Sequence, residues 1–217
     1  MQAGTAVGNL ASAIGVQSGE AALVSELKAG SEAAFALLIA QYHQPLYSVI
    51  ARSLQDPSDA ADITQEVFLK VFRGIGSFHG DASLKTWLYR IALHEASNRR
   101  RWWSRHKKQE LTIDSPMAES EDGGESLCLG DTLTDGGRSP FELAEEHETR
   151  ARVEAALLKL PENFRTVVVL REIEGFAYDE IAEILDIHIG TVKSRLLRGR
   201  AALKGHLLLP AGKEAAR

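Results

Sequence analysis

The sequence predicts an all-α protein made of two small helical domains joined by a flexible acidic linker. Three observations carry that expectation. Apolar residues recur at helical spacing on both sides of the chain's middle, and no segment alternates apolar and polar residues as a half-buried strand does. Between residues 105 and 140 the periodicity stops, and Gly, Ser, Pro and acids take over.

Residues 1–21 are mostly Ala, Gly, Ser, Gln and Val without periodicity, and read as a flexible tail. Phe35, Leu38, Ile39, Tyr42, Leu46 and Ile50 then form one apolar stripe, with Pro45 placed to kink or divide the helix. Asp56-Pro57-Ser58-Asp59 starts the next helix, which carries Ile63, Val67, Phe68, Val71 and Phe72 and stops at Gly74. A loop from Gly76 to Ser83 leads to a helix with Leu84, Trp87, Leu88 and Ile91, running into Arg99–Arg101 and Trp102-Trp103. Beyond the linker, a helical pattern resumes near Phe141. Pro161 opens a further helix through Phe164, Val167, Val168, Leu170 and Ile173, closed by Gly175. Two short helices follow, over 178–185 and about 189–205, joined by Asp186-Ile187-His188.

Composition excludes several classes. In 217 residues, 44% hydrophobic and 25% charged, there is room for one or two ordinary globular domains. The single cysteine, Cys128, rules out a disulfide scaffold and a four-thiolate metal site, and suits a reducing compartment. No apolar run approaches the roughly 18 residues of a membrane span. The first 19 residues carry no Lys or Arg, unlike a secretory signal. The expectation is a cytoplasmic protein with no membrane insertion.

The net charge of −5 hides a partition. Residues 109–148 hold twelve acids and one base, a net −11, so the rest of the chain is +6. Arg99, Arg100, Arg101, Arg105, Lys107 and Lys108 form one basic cluster; Lys193, Arg195, Arg198, Arg200 and Lys204 form another. Two basic clusters around an acidic spacer fit two contacts with a polyanion, or two solvated helix faces.

The last two helices have helix-turn-helix spacing. Ala182 allows a close approach, Ile181, Ile184, Leu185, Ile187 and Val192 supply the seam, and Asp186 takes the turn, where it tolerates a left-handed conformation. The second helix offers Thr191, Lys193, Ser194, Arg195 and Arg198, the donors that base edges and phosphates require. A plain helical hairpin is the alternative, but the bases gather on this helix and not on its partner.

At this point the chain resembles a known family. Leu160-Pro161-Glu162-Asn163-Phe164-Arg165, Leu170-Arg171-Glu172-Ile173-Glu174-Gly175, Tyr178-Asp179-Glu180-Ile181-Ala182 and Gly190-Thr191-Val192-Lys193-Ser194-Arg195-Leu196 resemble the promoter-binding domain of bacterial RNA polymerase sigma factors of the extracytoplasmic-function group. Asp59-Ala60-Ala61-Asp62-Ile63-Thr64-Gln65-Glu66-Val67-Phe68-Leu69 resembles that family's polymerase-binding helix. Phe78 to Asp81, followed by Thr86-Trp87-Leu88-Tyr89-Arg90-Ile91-Ala92, resembles its minus-10 reader.

The resemblance implies a region 2 domain over 22–104, the linker over 105–140 and a region 4 domain over 141–217. It also implies that core RNA polymerase meets Asp62, Gln65, Glu66 and Leu69. Phe78, His79, Gly80, Asp81, Ala82 and Ser83 would hold a base flipped from the melted minus-10 strand, at a cost of a few kcal/mol in lost stacking. Asn98, Arg99 and Arg100 would follow the backbone there. Arg171, Thr191, Lys193, Ser194, Arg195 and Arg198 would read the minus-35 element. Core polymerase, promoter DNA and an anti-sigma factor are the implied partners; no catalytic residue, cofactor or metal is implied.

Ala61 stands where a second acid is usual, His94 where Asn is frequent, and Ala177 where Ser or Thr caps the helix, with Glu180 retained. His94-Glu95 begins like a zinc-protease motif, but Asn98 occupies the second His position. Trp102 and Trp103 either stack on unpaired bases or finish an apolar helix face. No Gly-rich phosphate loop exists, which disfavours an enzyme. A stand-alone helix-turn-helix regulator is the competing reading.

Overall fold

The computed structural model describes residues 19–54, 57–110 and 140–208. The start of the expected tail, Asp56, the linker from 111 to 139 with Cys128, and residues 209–217 lie outside the described residues. Within them all regular structure is helical.

Helix α1 spans residues 19–28, so the helical part begins slightly before residue 22. Gly30, at φ 80°, turns the chain into α2 (Glu32–Ser53), whose N-cap Ser31 accepts a hydrogen bond from the Ala34 N–H at 3.4 Å. Of the two outcomes expected at Pro45, the division does not occur: α2 is one helix. Buried Leu38, Leu46, Val49 and Ile50 hold it on both sides of the proline. The carbonyl that loses its partner belongs to exposed Gln41, where water can satisfy it. Ile39 departs from the expected stripe and is exposed.

A 3₁₀ turn (Pro57–Asp59) leads to α3 (Ala60–Gly74), which buries Ile63, Val67 and Val71. A second turn (Ile75–Ser77) and a loop enter α4 (Leu84–Glu110), whose helix extends past the start expected for the linker. Helices α2, α3 and α4 pack together around Leu46, Ile50, Val67 and Leu88. Each such side chain contributes about 1.5–3 kcal/mol through burial.

The second half comprises α5 (Pro140–Leu158), α6 (Glu162–Val168), α7 (Tyr178–Leu185) and α8 (Ile189–Leu208). Pro161 sits one residue before α6 rather than inside it. A π turn over Val169–Ile173 prolongs α6, and Gly175, at φ 76°, ends it. Helix α8 crosses α6 at Gly199, where an added Cβ would lie 2.7 Å from Val168 Cγ2.

The two halves pack against each other, and their buried residues form one continuous apolar cluster. Tyr89 of α4 is fully buried with its ring 4.8 Å from that of Phe176, edge-on. Its hydroxyl donates to Glu174, and Lys85 donates to the Glu174 carbonyl at 2.7 Å. Arg52 reaches Glu154 through two nitrogens at 2.5 and 3.0 Å, and Arg100 pairs with Glu162.

Candidate nucleic-acid and polymerase interfaces

The helix-turn-helix takes the form its residues imply. Ile181 and Ile184 of α7 pack against Val192 and Leu196 of α8. Asp186 adopts the left-handed conformation at φ 51°, ψ 52°, and the Ile187 N–H donates to Ala182 at 3.0 Å. This geometry fixes which side of α8 faces outward. Val192, Leu196 and Gly199 point inward, leaving Lys193, Ser194, Leu197, Arg198 and Arg200 exposed. Thr191 is half-buried at the helix start, and its carbonyl accepts from the Ser194 hydroxyl at 3.0 Å.

Not every expected minus-35 residue lies on that surface. Arg195 is half-buried and turns toward a cleft of about 540 Å³ between the halves, shared with Arg90, His94 and Arg100. Arg171 donates to the Phe176 carbonyl at 2.7 Å and lies 5.0 Å from the Tyr178 ring centre. These contacts tie it to the loop before α7. Arg200 is exposed and forms a fork onto Glu172 at 2.6 and 2.9 Å, leaving Lys193 and Arg198 as the outward bases in the middle of α8.

On α3, Asp62, Gln65 and Leu69 fall on one exposed stripe, with Glu66 half-buried at its edge. Phe72, three residues beyond Leu69, is 60% exposed and packs on Phe35 with ring centres 4.9 Å apart. The periodicity of α3 had placed Phe72 among core residues; only its position 10 residues from Asp62, on the same face, hints otherwise. The stripe is therefore acidic at one end and apolar at the other.

The loop of residues 78–83 divides its labour. Phe78 is buried against Trp87, with ring centres 5.2 Å apart, so it supports the loop from below. His79, Gly80 and Asp81 are exposed, and Gly80 uses φ 81° to turn the chain. Ser83 caps α4: its hydroxyl accepts from the Thr86 N–H at 3.0 Å and pairs with the Thr86 hydroxyl at 2.8 Å. A cavity of about 290 Å³ opens beside Phe78, His79, Gly80 and Ala82.

Farther along α4, the Asn98 side chain bridges His94 at 3.1 Å and Arg101 at 2.5 Å. With Arg99, Glu66, Glu95 and Trp102 it lines a second hollow, of about 320 Å³, between α3 and α4. Glu95 is held there by Lys70 at 2.7 Å. Burial alone would raise its carboxyl pKa, but Lys70 and His94 outweigh that and hold it below the ordinary value. Arg100 is engaged by Glu162, and burial together with neighbouring Arg101 and Arg165 lowers its pKa. Trp103 donates to Asp59 at 2.7 Å, which ties the end of α4 to the start of α3. Among the described residues no group of three potential metal ligands gathers. No described helix is long and apolar enough to cross a membrane.

Two stretches match family models: residues 38–105 match Sigma-70 region 2, and residues 150–203 match Sigma-70, region 4. The ECF RNA polymerase sigma factor SigW of Bacillus subtilis is 35% identical over 184 residues, covering 85% of this chain and 94% of that protein. The sigma-E factor of Escherichia coli K12 is 35% identical over 83% of this chain and 90% of its own. The sigma-H factor of Pseudomonas aeruginosa is 34% identical with the same coverage. In fold, the chain is similar to CnrH solved with the cytosolic domain of CnrY (TM-score 0.58, 23% identity, 87% of this chain and 96% of that one). It is likewise similar to RpoE of Bartonella quintana solved with the anti-sigma factor NepR (TM-score 0.56, 24% identity, 80% and 96%).

Fold and relatives together define a transcription initiation factor, which directs RNA polymerase to promoters and performs no chemistry of its own. The chain belongs to the extracytoplasmic-function group of the sigma-70 family.

Proposed function

We propose that three surfaces divide the work of initiation. The exposed stripe of α3, from Asp62 through Gln65, Glu66 and Leu69, docks on core RNA polymerase. The loop 78–83 with Asn98 and Arg99 engages the melted minus-10 strand. The outward face of α8, with Thr191, Lys193, Ser194 and Arg198, enters the major groove at the minus-35 element. Arg171 acts there by holding the loop before α7, and Arg100 and Arg195 join the DNA surface once the halves part. The protein works in the cytoplasm, on the polymerase.

The observation that carries this reading is the outward face of α8. In the middle of the helix Val192 and Leu196 are spent on the packing behind it, while Leu197 is 73% exposed between Lys193 and Ala201. A recognition helix needs such a face: bases for phosphate and base edges, and an apolar group for thymine methyls. The stand-alone regulator would share it, but would have no use for an exposed acidic and apolar stripe on α3.

Reading both elements at once requires the halves to separate, because elements two helical turns apart lie about 70 Å from each other. The 29 residues between Glu110 and Pro140 can reach about 100 Å when drawn out, so the chain permits it. The cleft in which Arg100 and Arg195 are half-buried, with exposed Arg90 at its edge, is the surface that closure covers in part, and an acidic anti-sigma segment is the partner it suits.

The test is transcription from a promoter library randomised at both elements, using polymerase reconstituted with each variant. Arg198→Ala should relax preference at one upstream position, costing about 1–3 kcal/mol if it meets a base edge. If it meets phosphate, all upstream sequences weaken alike and the salt slope falls by about one. An exchange of loop 78–83 for another of equal length should alter only the minus-10 choice. A downstream shift from Arg198→Ala, or an upstream shift from the loop exchange, overturns the assignment.

A further inference from the structure

The cavity beside the minus-10 loop is not made by the loop alone. Its far wall is α1, the first described helix, which presents Glu20, Val24 and Lys28 at intervals of four residues, and so along one face. Opposite stand Phe78, His79 and Gly80. At about 290 Å³ the space lies at the lower end of small-molecule pockets, of a size for one flat heterocycle.

The chemistry of the two walls differs. Phe78 is fixed by Trp87 and Val24 is half-buried, so the floor and one side are apolar, as a base removed from its stack requires. Glu20 is anchored: its Oε1 accepts from the Leu84 N–H, the first of α4, at 2.7 Å. That bond fixes the carboxylate at the pocket edge and leaves its second oxygen as an acceptor. Lys28, two turns along α1 and exposed, is a cation at the other end.

We infer that α1 is the second wall of the minus-10 base pocket, and that Glu20 and Lys28 are specificity-determining residues within it. Glu20 accepts from the exocyclic amino group of the flipped base and so disfavours thymine, which has none. Lys28 neutralises a phosphate of the same nucleotide. The inference rests on the reading of residues 78–83 as the minus-10 pocket. A carboxylate that served only to cap α4 would be indifferent to the base.

Glu20→Gln separates the two roles. The amide oxygen can still accept from the Leu84 N–H, while the amide nitrogen can donate to a thymine carbonyl. In reconstituted holoenzyme on the minus-10 library, this variant should shift preference toward thymine by about tenfold at one position and leave the others unchanged. Lys28→Ala, an exposed change that does not threaten folding, should flatten the salt dependence of binding to a single-stranded minus-10 oligonucleotide by about 0.7 in slope. Exchange of loop 78–83 serves as the control. If the loop exchange moves one position while Glu20→Gln moves none and Lys28→Ala keeps the slope, α1 is only a structural strut. If neither the loop nor α1 moves any minus-10 position, the reading of the loop falls as well.

Discussion

In the proposed division of work, the outward face of α8 and the pocket beside loop 78–83 solve one problem, sequence recognition, in opposite ways. On α8 every proposed reading group sits on a single rigid element, and one seam of Val192, Leu196 and Gly199 fixes which groups face out. The pocket needs three separate pieces of chain: α1, the loop, and the start of α4 that Ser83 and Glu20 both cap. A duplex offers its base edges to anything that fits the groove, so a helix suffices. A flipped base has lost its neighbours, and the protein must replace them on two faces and an edge. The helical reader therefore depends on packing behind it, and the pocket on contacts between distant segments.

The largest expected effect breaks the comparison on the α8 side. Gly199→Val places a branched side chain where even a Cβ would stand 2.7 Å from Val168 Cγ2 and 3.4 Å from Phe164. Overpacking of this kind costs about 1–3 kcal/mol, and Val168 is itself branched and buried, so it cannot swing away. Thermal melts should show the loss. Initiation from promoters that depend on their upstream element should fall, while binding of a single-stranded minus-10 oligonucleotide persists. Equal loss of both activities would mean that the two readers are not separable.

A smaller effect is expected at the third surface. Leu69→Ala combined with Phe72→Ala removes the apolar end of the α3 stripe, where the side chains are 41% and 60% exposed. Exposed apolar residues at the centre of a protein contact typically carry about 1–2 kcal/mol each on truncation. Core polymerase should bind the double variant at least tenfold more weakly in a direct titration, with little change in the thermal midpoint of the free protein. An unchanged affinity would remove the apolar end from the docking surface.

How much of this was legible in the sequence follows the same division. The helix-turn-helix that carries α8 was legible because Ile181, Ile184 and Val192 follow helical periodicity and Asp186 marks the turn. The boundaries of α7 needed no correction. Arg171 was named from motif position and Arg195 from its place on the second helix, but neither carries information about the Phe176 carbonyl or the cleft that holds them. Residues 19–21 read as tail because Gly19-Glu20-Ala21 has no periodicity of its own; what makes Glu20 informative is a bond to Leu84, 64 residues away. Phe72 obeyed the apolar pattern of α3 yet faces outward, since a period of 3.6 defines an apolar arc without fixing its edges. At Pro45 the division that the sequence allowed did not occur, for the opposite reason. Tertiary burial on both sides of it outweighed a local rule.

The contact between the halves titrates, and this gives the next prediction. Tyr89 has its phenol pKa raised above the ordinary 10.0, chiefly by burial and then by the hydrogen bond to Glu174. A raised folded value means that the protonated phenol contributes stability fully below pH 10, and that this is lost as the pH climbs beyond the unfolded value. The halves should therefore loosen above about pH 10, read as increased distance between fluorophores on α2 and α8. Tyr89→Phe should weaken the closed arrangement by about 1–1.5 kcal/mol at neutral pH, because Glu174 is only half-buried and can take water in place of the hydroxyl. It should also flatten the alkaline step. A step of equal size in the Phe variant would assign the titration elsewhere.

The smallest effect concerns the start of α7, the helix that supports the α8 reader. Ala177 is the N-cap, with the extended backbone a cap requires (φ −71°, ψ 163°), but it has no side-chain acceptor to offer. Half of a capping box is present: the Ala177 N–H donates to Glu180 Oε2 at 2.7 Å. Ala177→Ser would supply the other half, a hydroxyl oxygen for the Glu180 N–H, at an exposed position where nothing must move. Caps are worth about 0.5–2 kcal/mol; with the reciprocal bond already made, the gain should lie near 0.5–1 kcal/mol. Glu180 also draws the Thr86 hydroxyl, at 3.4 Å, through its other oxygen, so a tighter cap should leave that contact between the halves in place. The measurement is the thermal midpoint of the full chain alongside amide exchange of Glu180 and Ile181. A raised midpoint with slower exchange at those amides identifies the cap. Slower exchange without a raised midpoint would mean that α7 frays without limiting stability, and no change in either would show that residue 177 does not cap the helix.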